Sequence, residues 1–201
     1  MQLTASQSVL ADLVGPREGA LLRAKQAVLV VLGIALLAVA AKIKVTIFPS
    51  PVPISMGTFA VLTIGAAYGA RLGLVTVLGY MIIGALGFDV FAGTSAEVNG
   101  LAYMMGGTGG YLVGWVLATL TLGALAQRGW DRSVVWMALA MLIGNALIYV
   151  PGLVWLGQLY GWDKPILAWG LTPFVVGDLL KLAVAALILP AIWKLVGNAR
   201  G

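Results

Sequence analysis

Pro173-Phe174-Val175-Val176-Gly177-Asp178-Leu179-Leu180-Lys181 opens an apolar run that continues to about Trp193. A run of this kind is a membrane-crossing candidate, because about 20 residues of helix traverse the hydrocarbon core. Asp178 and Lys181 stand three positions apart, so a helix puts them on one face within reach of each other. Neither charge sits at membrane depth without a partner or a ligand. Two readings compete. The pair is a structural ion pair that settles helix packing, or it is the polar end of an apolar cage built by the rest of the chain.

Composition supports the membrane setting. Of 201 residues, 61% are hydrophobic and 9% charged, and the mean hydropathy is +1.03. A soluble domain carries far more charge. Only helices and closed barrels span lipid, since every backbone polar group there must be satisfied internally. The apolar runs are continuous rather than alternating, which selects helices. The chain has neither cysteine nor histidine, which excludes disulfides, thiol catalysis and the usual zinc sites. The net charge of +5 does not cluster into a basic patch, so nucleic acid is not an expected partner. The basic residues sit at the ends of apolar runs, as topology signals do.

Residues 1–20, with Asp12, Arg17 and Glu18, are expected as a cytoplasmic lead-in lying on the membrane as an amphipathic helix, ahead of a membrane domain over 21–201. No cleavable signal peptide is read there, because an apolar core before a cleavage site is lacking. The first span is expected from about Leu21 to Ala41, ended by Lys42 and Lys44. Ile47 to Ser55 holds Pro49, Pro51 and Pro53. Prolines at that density give a stiff extended loop, apolar enough to be either a lid or an interfacial anchor. Phe59 to Phe88 is too long for one span and is interrupted by Gly69-Ala70-Arg71-Leu72-Gly73, so two short spans over 59–70 and 72–88 are expected. A connection over 89–105 follows, with Asp89, Glu97 and Asn99. The fourth span is expected over about 111–126, the fifth over 134–155 and the sixth from Pro173.

Six spans place both termini on one side. With that side cytoplasmic, Arg17, Arg23, Lys25, Arg71, Arg128, Arg132, Lys194 and Arg200 fall inside, against Lys42, Lys44 and Lys164 outside. The excess fits the positive-inside rule. The proline loop, the acidic connection and the Asp178/Lys181 pair then meet at the outer face.

The remaining features divide between structure and function. Gly106-Gly107-Thr108-Gly109-Gly110 has neither the spacing nor the lysine of a phosphate loop. Its glycines let helices approach closely or let backbone line a cavity. Asn145, inside the fifth span, is read as an interhelix hydrogen bond ahead of a ligand contact. Trp155, Trp162 and Trp169 are read as interface anchors. Phe88 and Phe91 are read as core packing before ligand packing. No base stands near a nucleophile, so an enzyme is not expected.

Four segments now line up. Pro51-Val52-Pro53-Ile54-Ser55-Met56-Gly57-Thr58, Val90-Phe91-Ala92-Gly93, Gly107-Thr108-Gly109-Gly110-Tyr111 and Pro173 to Lys181 stand in the order and spacing of the BioY family. Over roughly residues 25–195 the chain resembles its members, the biotin-specific S components of energy-coupling-factor (ECF) vitamin transporters. The resemblance implies an all-α integral membrane protein, a compact bundle of six transmembrane helices with both termini cytoplasmic. It implies high-affinity biotin binding and uptake, a multi-pass place in the bacterial cytoplasmic membrane, and no cofactor. Its partners would be a transmembrane coupling subunit, two ATP-binding cassette ATPase subunits and membrane lipid. The implied substrate-binding residues are Asp178, Lys181, Tyr111, Thr108, Gly107 and Asn99, under a lid of Pro51, Val52, Pro53, Ile54 and Ser55.

Biotin's ureido ring has two N–H donors and a carbonyl. Asp178 can accept from the former and Lys181 can donate to the latter, or offset the carboxylate tail. Which end of biotin meets the pair stays open. The chain departs from the family at Gly57, where a glutamine is usual, and at Gly107, where a proline is usual. The four-residue alanine spacing that S components present to the coupling subunit survives only at Ala20 and Ala24. Competing identities are an S component for another vitamin, an intramembrane enzyme, or a structural membrane subunit.

The charge count makes a prediction about orientation. Cysteines placed at Ser50 and Ser95 should react with an impermeant thiol reagent added outside intact cells, and one at Ser133 should not. The opposite pattern inverts the topology.

Overall fold

Backbone groups in hydrocarbon must bond within their own segment, and the chain meets that demand with long helices. The structure, a computed structural model, describes residues 8–13, 15–95 and 98–198. Glu97, Arg200 and the first seven residues of the lead-in lie outside the described residues. In chain order the elements are α1 (Gly19–Lys42), β1 (Lys44–Val45), β2 (Ile54–Ser55), α2 (Gly57–Ala85), α3 (Gly100–Met104), α4 (Gly109–Gln127), α5 (Val134–Tyr160), α6 (Ile166–Gly170) and α7 (Thr172–Asn198). Among the described residues, five helical stretches are long and apolar enough to cross a membrane.

One of the five is two crossings. Within α2, Gly69 has φ 78° and ψ 173°, outside any helix. A Cβ on Gly73 would lie 3.4 Å from the Cα of Gly65, whereas a straight helix separates residues eight apart by about 12 Å. The legs 57–68 and 70–85 therefore fold back on each other. The expected glycine turn is present, with the legs beginning and ending a few residues earlier than the sequence suggested. Six crossings result.

Glycines set how closely these crossings pack. A Cβ on Gly123 of α4 would sit 2.1 Å from the Ala70 nitrogen, and one on Gly114 would sit 2.5 Å from the Ile148 Cα. Small residues at such points let helix backbones approach where side chains would hold them apart. Helix α4 is the most buried crossing, packed between α2 and α5. Helix α1 lies outside, against α2, where the Tyr68 hydroxyl donates to the Leu29 carbonyl at 3.0 Å.

At the end of the bundle that carries both described termini, the described part of the lead-in forms one 3-10 turn, Leu10–Asp12. Val9 is buried and faces the Gly69 turn. Arg132 lies 4.3 Å from the Trp193 ring centre and donates to the Ser8 carbonyl at 3.3 Å. Trp193 donates to Asp131 at 2.5 Å. Burial pushes the Asp131 carboxyl up to about 6.

The tryptophans correct another expectation. Trp162 is exposed, as an interface anchor would be. Trp155 instead donates to the Gly106 carbonyl at 2.8 Å, and Trp169 packs edge-on to Tyr160, ring centres 6.0 Å apart. Both are built into the end of the bundle opposite the described termini.

The turn in α2 yields a stability prediction. Gly69→Ala puts a Cβ into a backbone region that non-glycine residues avoid, at a cost of about 1–3 kcal/mol. Gly177 has open space around it and no such backbone. Thermal unfolding in detergent should therefore show a lower midpoint for Gly69→Ala and none of that loss for Gly177→Ala.

Candidate functional site

Helix α7 begins just before Pro173, where the first helical N–H groups have no internal partner and a proline costs nothing. One and two turns later it presents Asp178 and Lys181. Lys181 Nζ donates to Asp178 Oδ1 at 2.9 Å, to Thr58 Oγ1 at 2.9 Å and to the Ser55 carbonyl at 2.7 Å. All three ammonium protons are thereby used. Asp178 accepts the Tyr149 hydroxyl on Oδ2 and that of Thr58 on Oδ1 at 3.3 Å. Asp178 is 4% exposed. A pair this deep survives because nearly every polar atom in it is bonded.

Thr58 and Tyr149 also face a cavity on the other side. It has an empty volume of about 550 Å³, its open mouth included. Its wall is aromatic: Tyr80, Phe91, Tyr103, Tyr111, Trp115, Tyr149 and Phe174. Tyr80 stacks on Trp115 at 5.8 Å and Phe91 on Tyr103 at 5.0 Å. Tyr111, Tyr149 and Phe174 form a second group, with centres 6.1–6.5 Å apart. The tyrosine hydroxyls are tied into the surrounding protein. Tyr80 donates to the Val90 carbonyl at 3.0 Å and Tyr111 to that of Gly170 at 2.8 Å. Tyr103 accepts from the Gly93 amide at 3.2 Å. With their hydroxyls engaged there, the rings make an apolar lining.

Two loops border this cavity. Val52, Pro53 and Ser55 of the proline loop line it, and so do Phe91 and Ala92 of the connection after α2. The proline loop is tied at its base by the ladder Lys44↔Ser55 and Val45↔Ile54, and at its tip by Ser50, which donates to the Trp169 carbonyl at 2.8 Å. The second loop is held by lysines. Lys42 Nζ reaches Asp89 at 2.5 Å, the Phe91 carbonyl at 2.8 Å and Thr94 at 3.2 Å, and Lys44 donates to the Ala92 carbonyl. The hydrogen bond from Lys42 holds the Asp89 carboxyl below the usual carboxylate range. Gly84 makes room beneath this loop, since a Cβ there would fall 2.1 Å from the Phe91 ring.

The residues singled out in the sequence distribute unevenly around this geometry. Asp178 and Lys181 lie together behind the Thr58–Tyr149 wall. Tyr111, Thr108, Val52, Pro53 and Ser55 line the cavity. Pro51 and Gly107 lie against each other outside the lining, and Ile54 is half-buried in the ladder. Asn99 is exposed at the start of α3 and away from the cavity wall. Gly109 and Gly110 serve close packing against Trp155 and the Pro151 carbonyl. Asn145 makes no interhelix bond through Oδ1, which is buried without a partner among the described residues. It faces a smaller void of about 170 Å³ shared with Asp178 and Lys181. At Gly57 a Cβ would meet the Trp115 ring at 2.7 Å, so Trp115 occupies the space a larger residue would need.

Sequence reasoning missed Thr58, Tyr80, Tyr103, Trp115, Tyr149 and Phe174 as lining residues. Thr58 closes the quoted proline segment and Phe174 sits inside the charge motif, so both stood beside residues already marked. Nothing in the spacing of the others separates a ring on a cavity from a ring in a core.

Comparison with known proteins places this geometry. The BioY family model matches residues 11–198. A Pyrococcus horikoshii protein named "Probable biotin transporter BioY" is 39% identical over 167 residues, 83% of this chain and 95% of the relative. "Biotin transporter BioY" of Thermotoga maritima is 35% identical over 146 residues, 72% of this chain and 83% of the relative. The fold is similar to the crystal structure of the S-component for biotin from an ECF-type ABC transporter. The TM-score is 0.76 at 20% identity, covering 89% of this chain and 95% of that one.

The lysine clasp on the second loop is directly testable. Lys42→Met removes the donor to Asp89, the Phe91 carbonyl and Thr94. Amide exchange at Phe91–Thr94 should quicken by about tenfold, equivalent to about 1.4 kcal/mol, with exchange in α4 unchanged. Unchanged exchange in the loop means that the clasp does not hold it.

Proposed function

The chain belongs to the BioY family, and from that premise we propose that it binds biotin in the aromatic cavity. It serves uptake as the substrate-specificity subunit of an ECF-type transporter, the role that the names of its relatives and of the solved neighbour describe for those proteins. The observation that carries the placement is an aromatic cavity backed, across Thr58 and Tyr149, by a buried ion pair. The rings suit biotin's fused bicycle and alkyl chain. A ureido group at the Ser55–Thr58 wall takes over hydrogen bonds that Lys181 and Asp178 make to that wall, with Asp178 accepting N–H and Lys181 donating to the carbonyl. Pro51 to Ser55 act as the lid, and Thr108 and Tyr111 belong to the opposite wall.

The chain is multi-pass, with residues 1–20 as a cytoplasmic lead-in to the domain over 21–201. In our reading it resides in the cytoplasmic membrane with both termini inside, beside a transmembrane coupling subunit and two ATP-binding cassette ATPases. Those partners supply the energy, since this sequence carries no phosphate-loop lysine motif.

A second reading rests on a specific observation: protein groups alone occupy all three protons of Lys181. A pair so satisfied can be purely structural. Removing one member of a buried hydrogen-bonded pair costs about 2–5 kcal/mol, and about 1.4 kcal/mol is tenfold in affinity. If the pair engages biotin, Asp178→Asn and Lys181→Ala should each weaken equilibrium binding of labelled biotin at least about thirtyfold in protein that stays folded in detergent. If it only joins helices, both variants should unfold at lower temperature while the folded fraction binds normally.

A further inference from the structure

The segment leaving α1 is amphipathic in the reverse of the usual sense. Within its short strand, Lys44 and Val45 point to opposite faces. Lys42 and Lys44 are exposed but spend their ammonium groups on Asp89, Thr94 and the carbonyls of Phe91 and Ala92. Ile43 between them and Val45 and Ile47 beyond them lie exposed, and Phe48 is 96% exposed. The outward face carries no charge.

This face continues the exposed apolar surface of a helix long and apolar enough to cross a membrane. On α1, Leu32, Leu36 and Val39 are exposed at four- and three-residue steps, one stripe of a membrane-crossing helix. Ile43 follows four residues after Val39 and extends the stripe off the end of the helix into β1. A single bent residue, Ile43, separates the two elements.

We propose that residues 43–48 are an interfacial membrane anchor, seated at the boundary between headgroups and acyl chains, which fixes the cavity lid to the bilayer. The chemistry recognised is the apolar boundary layer and not headgroup charge, because both lysines of the segment are engaged within the protein. The anchor connects to the lid through backbone: β1 pairs with β2 in the register Val45↔Ile54, and Val52, Pro53 and Ser55 next to that pairing line the cavity. Lipid thus holds one strand of the hairpin whose other strand borders the site. The lid consequence rests on the biotin reading, but the anchoring does not.

The chain has no cysteine, so one introduced thiol gives one label. Val45→Cys and Phe48→Cys carry bimane in phosphatidylcholine nanodiscs holding one copy each. Val39→Cys serves as the lipid-facing reference and Asp163→Cys as the aqueous one. Both test side chains are exposed, so the label displaces no packed group. Lipids brominated on the acyl chain should quench labels at 45 and 48 at least half as strongly as at 39, and aqueous iodide should quench them far less than at 163. Replacing part of the phosphatidylcholine with phosphatidylglycerol, or raising the salt, should leave the quenching unchanged. No step uses biotin, so failure here is separable from failure to bind the vitamin. Iodide quenching equal to that at 163, shielding from both quenchers as a protein surface would give, or quenching that requires anionic lipid each overturns the proposal.

Discussion

An ammonium and a carboxylate taken out of water each cost several kcal/mol unless their remaining bonding capacity is met. In this protein that capacity is met by four elements at once. Asp178 and Lys181 come from α7, Thr58 from the first turn of α2, Ser55 from β2 and Tyr149 from α5. The network joins the base of the proline loop to three helices. It also fixes the ring of Tyr149 and the hydroxyl of Thr58, two parts of the cavity wall. The shape of the apolar cavity depends on a polar cluster that lies just outside it.

Much of the bundle was legible because lipid imposes so few solutions. Continuous apolar runs gave the crossings, and Gly69 to Gly73 gave the fold-back, since a helix through that stretch would overrun the bilayer. The charge pair was legible because ions at membrane depth demand partners. The cavity was less so. Tyr80, Trp115 and Tyr149 in apolar runs and Tyr103 in the connection are aromatics whose exposure to a void is decided by tertiary packing, which no local period encodes. Asn99, singled out as a polar residue of the connection, is exposed and outside the cavity lining. Lys42 and Lys44 marked the end of α1 correctly, yet their reach across to a loop almost fifty residues away left no local trace.

The cavity's chemistry is divided by depth. Each tyrosine ring offers its apolar body while its hydroxyl is tied into the wall, so the lining resists hydration even though many of its residues are nominally polar. Besides the tyrosines, that lining holds the hydroxyls of Ser55, Thr58 and Thr108. The two covering loops are held by different means. The proline loop is stiffened by composition and a short ladder, and the Phe91 loop by lysine donors that reach it from α1 and β1.

The hairpin in α2 carries a consequence for the surrounding bilayer. Its legs, 57–68 and 70–85, span about 18 and 24 Å at 1.5 Å per residue, against about 30 Å of hydrocarbon. The second leg exposes Val75, Leu78 and Ile82, so lipid beside it meets an apolar surface shorter than itself. Such hydrophobic mismatch costs fractions of a kcal/mol per Å and is relieved when the bilayer thins locally. Val9 and its neighbours, seated under the Gly69 turn, fill part of that deficit from the protein's side. The thickness of the host membrane thereby becomes a term in the stability of this one hairpin, and through Thr58 at its head, in the geometry of the charge pair.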